Sequence, residues 1–285
     1  MSARDDFLER PVVFSCGDDS LLGILHGSAQ PAALGVLVIV GGPQYRVGSH
    51  RQFVLMARDL ARSGVPVFRF DYRGMGDSDG AARTFEAVEE DVAAALEAFF
   101  REQPQLSGVV LWGLCDAASA ALIVCRQDPR VRGVIVANPW VRTQSGEART
   151  YLRHYYVQRF MQRSFWRKVL SGAFNPFRSA QELAATVDAA RGAATPRAKQ
   201  KPFIERMRAG LESFAGPILV LISERDLTAQ EFVDLCNADR KWQSALAAPD
   251  RSSCTLPQAD HTFSDRRALA AATERCVQWL TRVRP

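Results

Sequence analysis

Histidine is scarce in this chain, with four residues in 285. Cysteine is present six times, at Cys16, Cys115, Cys125, Cys236, Cys254 and Cys276. No two of these are spaced as CxxC, and no Cys/His cluster has zinc-ligand spacing, so neither a metal nor another cofactor is expected. Thiols scattered in this way suit a reducing compartment. No apolar run approaches the roughly 18 residues that a membrane span needs. The opening MSARDDFLER lacks a basic start followed by an apolar stretch, so it does not read as a secretory signal. Together these absences point to the cytoplasm. Low-complexity tracts and internal repeats are also missing, and no aromatic-basic pattern of a nucleic-acid module is found.

What is present is enough apolar material, 47% of residues, to bury one large core. Charged residues make up 24%, as in ordinary globular chains, and the net charge is +5. The basic excess is uneven: Arg149, Arg153, Arg159, Arg163, Arg167 and Lys168 crowd one middle stretch. Such a stretch can attract an acidic substrate or anionic surface, and it equally reads as a solvated helix face.

Short apolar runs alternate with longer helical patterns. Val12–Phe14 and Leu21–Leu25 predict an opening hairpin turned at Gly17-Asp18-Asp19. Gly35–Val40, Pro66–Phe70, Gly108–Trp112, Gly133–Ala137, Pro217–Ile222 and Ser253–Leu256 predict strands. Between and after them, His50–Arg62, Phe85–Phe100, Asp116–Arg126, Ala229–Arg240 and Arg266–Val283 predict helices. Strand–helix alternation of this kind implies right-handed crossovers and a parallel sheet. The alternation breaks over 141–214, where only helical segments are found. The expected organisation is an α/β core, 1–140 and 215–285, with 141–214 as a helical lid insertion. Within that insertion His154, Tyr155, Tyr156 and Trp166 could line a pocket, and helical packing explains them equally well.

In an open parallel sheet the active site lies beyond the carboxyl ends of the strands. The strand Gly108–Trp112 runs into Gly113-Leu114-Cys115-Asp116-Ala117, then a helix. This is the pattern of a nucleophile elbow with cysteine in the nucleophile slot, small residues two before and two after it, and strained backbone between them. A helix N-terminus behind the sulfur favours a thiolate. His261, in the loop after the last strand, stands where a general base is expected. Asp226, after Pro217–Ile222, stands where the acid that orients the base is expected, with Glu224 as the competitor. Gly42, in Gly41-Gly42-Pro43-Gln44, and the residue after the nucleophile, Asp116, are the expected oxyanion donors through their amides. Pro43 has no N–H, so Gln44 is the alternative to Gly42. Gln44, Arg46, His50, Arg51 and Trp140 are candidates for holding an anionic or sugar-bearing substrate. For Arg46, His50 and Arg51, capping and surface charge are the competing explanation.

With these residues assembled, the chain resembles the α/β-hydrolase superfamily, and more narrowly the exosortase A system-associated hydrolase 1 family. The resemblance extends over nearly the whole chain. It rests on Val40 through Phe53, on Arg69-Phe70-Asp71-Tyr72-Arg73-Gly74-Met75-Gly76-Asp77-Ser78, on Gly113 through Ala120, and on Asn138-Pro139-Trp140-Val141-Arg142. It implies an α/β-hydrolase fold, a mostly parallel sheet flanked by helices with a helical lid. It further implies a setting of PEP-CTERM protein export and extracellular polysaccharide genes. Cysteine replaces the superfamily's usual serine, which favours thioester or acyl-transfer chemistry; dienelactone hydrolases show that Cys-His-Asp works on this fold. The expected activity is hydrolysis of an ester or thioester of a small-molecule or saccharide-linked acyl substrate. Acyl transfer to a saccharide and a non-catalytic binding role are the alternatives. Neither a nucleic-acid partner nor a membrane span is expected.

Overall fold

The computed structural model describes residues 9–28, 30–42, 44–141 and 202–285. These form one compact unit. Its centre is an eight-stranded sheet: β1 Glu9–Cys16, β2 Asp19–His26, β3 Leu34–Ile39, β4 Val67–Phe70, β5 Gly108–Leu114, β6 Val131–Ala137, β7 Ile218–Ser223 and β8 Arg251–Leu256. The order across the sheet is β1-β2-β4-β3-β5-β6-β7-β8, antiparallel where β2 meets β1 and β4, and parallel from β4 to β8.

Burial follows from this topology. β1 alternates, burying Val12, Phe14 and Cys16 and exposing the residues between, as an edge strand with one wet face does. β5 is buried at every position, because helices cover both of its faces. The helices are α1 Gln52–Arg62, α2 Glu89–Glu102, α3 Asp116–Val124, α4 Phe203–Ser213, α5 Leu227–Ala238, α6 Arg240–Leu246 and α7 Arg266–Leu280. One core layer joins α2 to α6 to the sheet, and the other is built from α1, α7 and the opposite face.

The expected strands and helices are found, with ends that coincide or shift by up to four residues. The pattern expected as one helix over Phe85–Phe100 is a single 3₁₀ turn, Phe85–Ala87, followed by α2. The chain's end of helix near Arg240 is a break, after which α6 begins with the Asp239 carboxylate capping Lys241 N–H at 2.7 Å. The range 141–214 is described only at its ends. Val141 is buried with the core, and α4 packs there too, with Met207 and Leu211 buried and Arg251 donating to the carbonyls of Leu211 and Phe214. The core therefore takes in these two ends of the range expected as a lid. The rest of it, with Arg149, Arg153, His154, Tyr155, Tyr156, Arg159, Arg163, Trp166, Arg167 and Lys168, lies outside the described residues.

All six cysteines are free thiols. Cys16, Cys125, Cys236 and Cys276 are buried, whereas Cys115 and Cys254 are half-exposed. No helix among the described residues is long and apolar enough to cross a membrane.

Candidate active site

The site begins where β5 ends. Leaving the strand, the backbone turns at Cys115 with φ 63° and ψ −124°, a conformation that costs an L-residue on the order of 1–3 kcal/mol. The strain is held from both sides. Cys115 N–H donates to Ala137 O at 2.9 Å, while its carbonyl accepts from Ala118 and Trp140, each at 3.1 Å. Gly113 is required for this turn, because a Cβ there would overlap the Ala117 carbonyl. Ala117 is itself buried. Cys115 is thus the N-cap residue of α3, with its sulfur at the positive end of that helix.

His261 is brought to Cys115 by the loop after β8, although the two are far apart in sequence. Its Nδ1 lies 2.7 Å from Asp226 Oδ2. The Cys115 side chain lies near enough to the same ring to favour its charged form. With Nδ1 committed to Asp226, the nitrogen left for the sulfur is Nε2. Burial opposes charge on this imidazole, but the bond to Asp226 and the nearby Cys115 outweigh it, and the His261 pKa is raised from 6.5 to about 10.

Asp226 is buried at the N-terminus of α5, where its carboxylate also accepts from Thr228 N at 3.0 Å and Ala229 N at 3.3 Å. One side chain therefore caps a helix and orients the histidine. Glu224, the competing acid, turns away. Its carboxylate takes the Gln258 backbone N–H at 2.8 Å and side-chain amide at 3.3 Å, which ties down the start of the His261 loop.

Sequence reasoning missed Asn138 as a site residue. It is fully buried in the left-handed region at φ 48°. Its Nδ2 donates to Ser223 Oγ at 2.9 Å and to the His261 carbonyl at 3.1 Å, and its Oδ1 accepts Ser223 N–H at 2.8 Å. It bridges the ends of β6 and β7 to the histidine loop. The available signal was an amide residue ending an apolar strand directly before Pro139, since asparagine tolerates that backbone better than most residues. We expect Asn138→Ala to cost about 2–3 kcal/mol in urea unfolding, because buried donors and acceptors lose their partners. It should also lower kcat by loosening the His261 loop. A change under 0.5 kcal/mol, roughly the scatter of surface substitutions, would count against the bridge.

The expected oxyanion loop lies close to the elbow. Gly42 N–H donates to the Asp116 carboxylate at 2.8 Å, so in this state that amide is occupied by a side chain. The Gln44 amide points back to Gly41 O at 3.4 Å. The other expected substrate-side residues divide. Trp140 sits behind the elbow, its amide on Cys115 O and its carbonyl receiving Ser119 Oγ at 2.7 Å. Arg46 pairs with Asp71 and, at 2.6 Å, with Asp77. Arg51 is exposed at the start of α1 and, with Arg46 and Tyr45, lines a separate cavity of about 480 Å³ over β2 and β4. Gln44 Oε1 accepts from Gln52 at 3.4 Å. His50 is exposed and lies near Asp260, the residue before His261. Among the described residues no group of three His, Cys, Asp or Glu side chains could hold a metal ion.

A strained turn at the end of a central parallel strand, a base from the last loop and an acid from the strand between them are features of the α/β-hydrolase class. A family profile described as "Alpha/beta hydrolase family" matches residues 24–272, and the chain belongs to that family of hydrolase enzymes. The solved structures it is similar to include the esterase Pf2001 of Pyrococcus furiosus, 15% identical, TM-score 0.68, covering 98% of this chain and 94% of that one. The alpha/beta hydrolase GrgF of Penicillium sp. is 17% identical, TM-score 0.65, covering 97% and 99%. The dienelactone hydrolase of Anabaena variabilis is 14% identical, TM-score 0.62, covering 98% and 100%. At such identities the likeness is one of fold. No curated protein matches the chain.

Proposed function

We propose that the chain hydrolyses ester or thioester bonds through a covalent acyl-enzyme on Cys115. The observation that carries this reading is the single imidazole of His261, bonded to Asp226 at 2.7 Å and close enough to the strained-turn Cys115 for that side chain to favour its charged form. In the first half-reaction His261, with its raised pKa, already holds the proton near neutral pH, and the Cys115 sulfur attacks the acyl carbon as the thiolate of that ion pair. The carbonyl oxygen becomes an oxyanion, for which the Gly42 and Asp116 amides are the proposed donors. The leaving alcohol or thiol receives the proton from His261, and the acyl group remains on sulfur as a thioester. In the second half-reaction water gives a proton to His261, its oxygen attacks the thioester, and the acid departs, which restores the Cys115 thiolate beside protonated His261. Asp226 stabilises the imidazolium in both halves without itself taking the proton.

Thioesters are the favoured substrates, because a thiolate nucleophile and a thiolate leaving group are matched in basicity. The resemblance to exosortase A system-associated hydrolases supports a small-molecule or saccharide-linked acyl donor in a polysaccharide or protein-export setting, within the cytoplasm.

The test is site-resolved labelling with iodoacetamide. Cys115 should be alkylated at least about tenfold faster than free thiol at pH 7, and His261→Ala should remove that advantage. A thiol of ordinary rate, indifferent to residue 261, would leave a binding protein on a hydrolase fold as the better reading.

A further inference from the structure

Asp116 follows the nucleophile directly, and its half-buried carboxylate lies against the loop that approaches the elbow. Its Oδ2 accepts Gly42 N–H at 2.8 Å and its Oδ1 accepts Ala117 N–H at 2.9 Å. Gly41 passes so close that a Cβ there would overlap Oδ1, and so only glycine fits. Among the described residues Asp116 makes no ion pair with lysine or arginine, and His261 is the cationic group that faces it. Burial raises its pKa, while the amides that bond it pull the other way.

The Gly42 amide cannot serve two acceptors fully. An acyl oxygen entering the place proposed for it has to displace the carboxylate, and an oxyanion beside that carboxylate would be repelled. Once displaced, the carboxylate remains in half-buried surroundings without the Gly42 amide that satisfied its Oδ2. Such a stranded charge is costly unless something else hydrogen-bonds it. The incoming molecule is the one new component able to do so.

We propose that Asp116 is a specificity-determining residue: it holds the oxyanion amide until a substrate arrives that carries a cation or hydrogen-bond donor near the scissile carbonyl and pairs with the displaced carboxylate. The inference rests on the acyl-hydrolase reading given above. The favoured substrate class is therefore an ester or thioester with an ammonium, amide or hydroxyl group close to the acyl carbon. Acyl groups bearing a carboxylate or sulfonate are excluded by charge.

The experiment uses the full chain and two sets of matched probes. The first is p-nitrophenyl esters whose acyl chains end in trimethylammonium, methyl or sulfonate. The second is methanethiosulfonates with ammonium, methyl or sulfonate ends, whose reaction with Cys115 is followed by peptide mass spectrometry and needs no ester turnover. In the native protein both sets should react in the order cationic, neutral, anionic, with on the order of 10²-fold between the extremes at low salt. Asp116→Asn keeps the shape and an acceptor for Gly42 but removes the charge, and should compress the range to within about threefold. Asp116→Ala should do the same and raise kcat/KM for the neutral ester. The same charge order in the native protein and both variants overturns the role of Asp116, as does the absence of any order in the native protein. Ester turnover with no charge order leaves the hydrolase reading standing and removes this one. A charge order in the thiosulfonate rates that vanishes in Asp116→Asn, with no ester turned over, does the reverse.

Discussion

Cys115→Ala is expected to lower kcat/KM for acyl-ester hydrolysis by at least about 10⁴-fold, comparable to the loss of other covalent nucleophiles. The substitution removes one sulfur atom and leaves the rest of the site in place. Ala fits the turn no worse than cysteine, since both pay for the same positive φ. The His261–Asp226 bond is made without the sulfur, and the amide groups of the turn belong to the backbone. The residue of activity then measures what binding and the amides achieve alone. Cys115→Ser should recover part of the rate toward esters and less toward thioesters, because a hydroxyl is harder to deprotonate and gives an oxyester intermediate. Initial rates on paired oxygen and sulfur esters, with circular dichroism to confirm folding, decide the matter. If alanine stays within tenfold of native, the nucleophile is another residue and the acyl-cysteine mechanism falls.

Asp226→Ala should act on both rate and stability. For the rate, loss of the carboxylate frees His261 to rotate and to take the wrong tautomer, a change worth on the order of 10⁴ in kcat where such a triad operates. For stability, α5 loses its N-cap, which costs about 0.5–2 kcal/mol. A further contribution depends on pH. The folded protein holds the His261 proton more tightly than the unfolded chain, with a pKa raised from 6.5 to about 10. This stabilisation is complete below about pH 6.5 and is lost as pH climbs towards 10, because the unfolded state releases its proton first. The gap between native and variant in urea midpoint should therefore narrow steadily over that window, down to the capping contribution. A gap that is constant from pH 6 to pH 10 would show that Asp226 caps a helix and does not govern His261.

The sheet was legible because strands buried on both faces write continuous apolar runs, and β3, β5, β6 and β7 do so. Chain order then located the elbow, the base and the acid, since each follows a strand end. The choice between Asp226 and Glu224 was open in the sequence because both follow β7 within three residues. Proximity to the strand was the poorer guide. The residue at the strand end is spent on clamping Gln258, and the one that begins α5 reaches the histidine. Asn138 was hidden because its bonds run to Ser223 and the His261 carbonyl, partners that only the sheet brings near. Asp116 was legible as a backbone donor and hidden as a side chain, since nothing in its spacing indicates that the carboxylate folds back onto Gly42.

The distribution of the six thiols has a practical consequence. Burial pushes Cys125, Cys236 and Cys276 up to about 12 and raises Cys16, so four of the six stay protonated and shielded in the native fold. A reagent added in stoichiometric amount therefore meets only residues 115 and 254 at an accessible surface. With Cys254→Ser in place, the fast equivalent of reagent consumed would count functional molecules in a preparation, giving an active-site titration that needs no knowledge of the natural substrate.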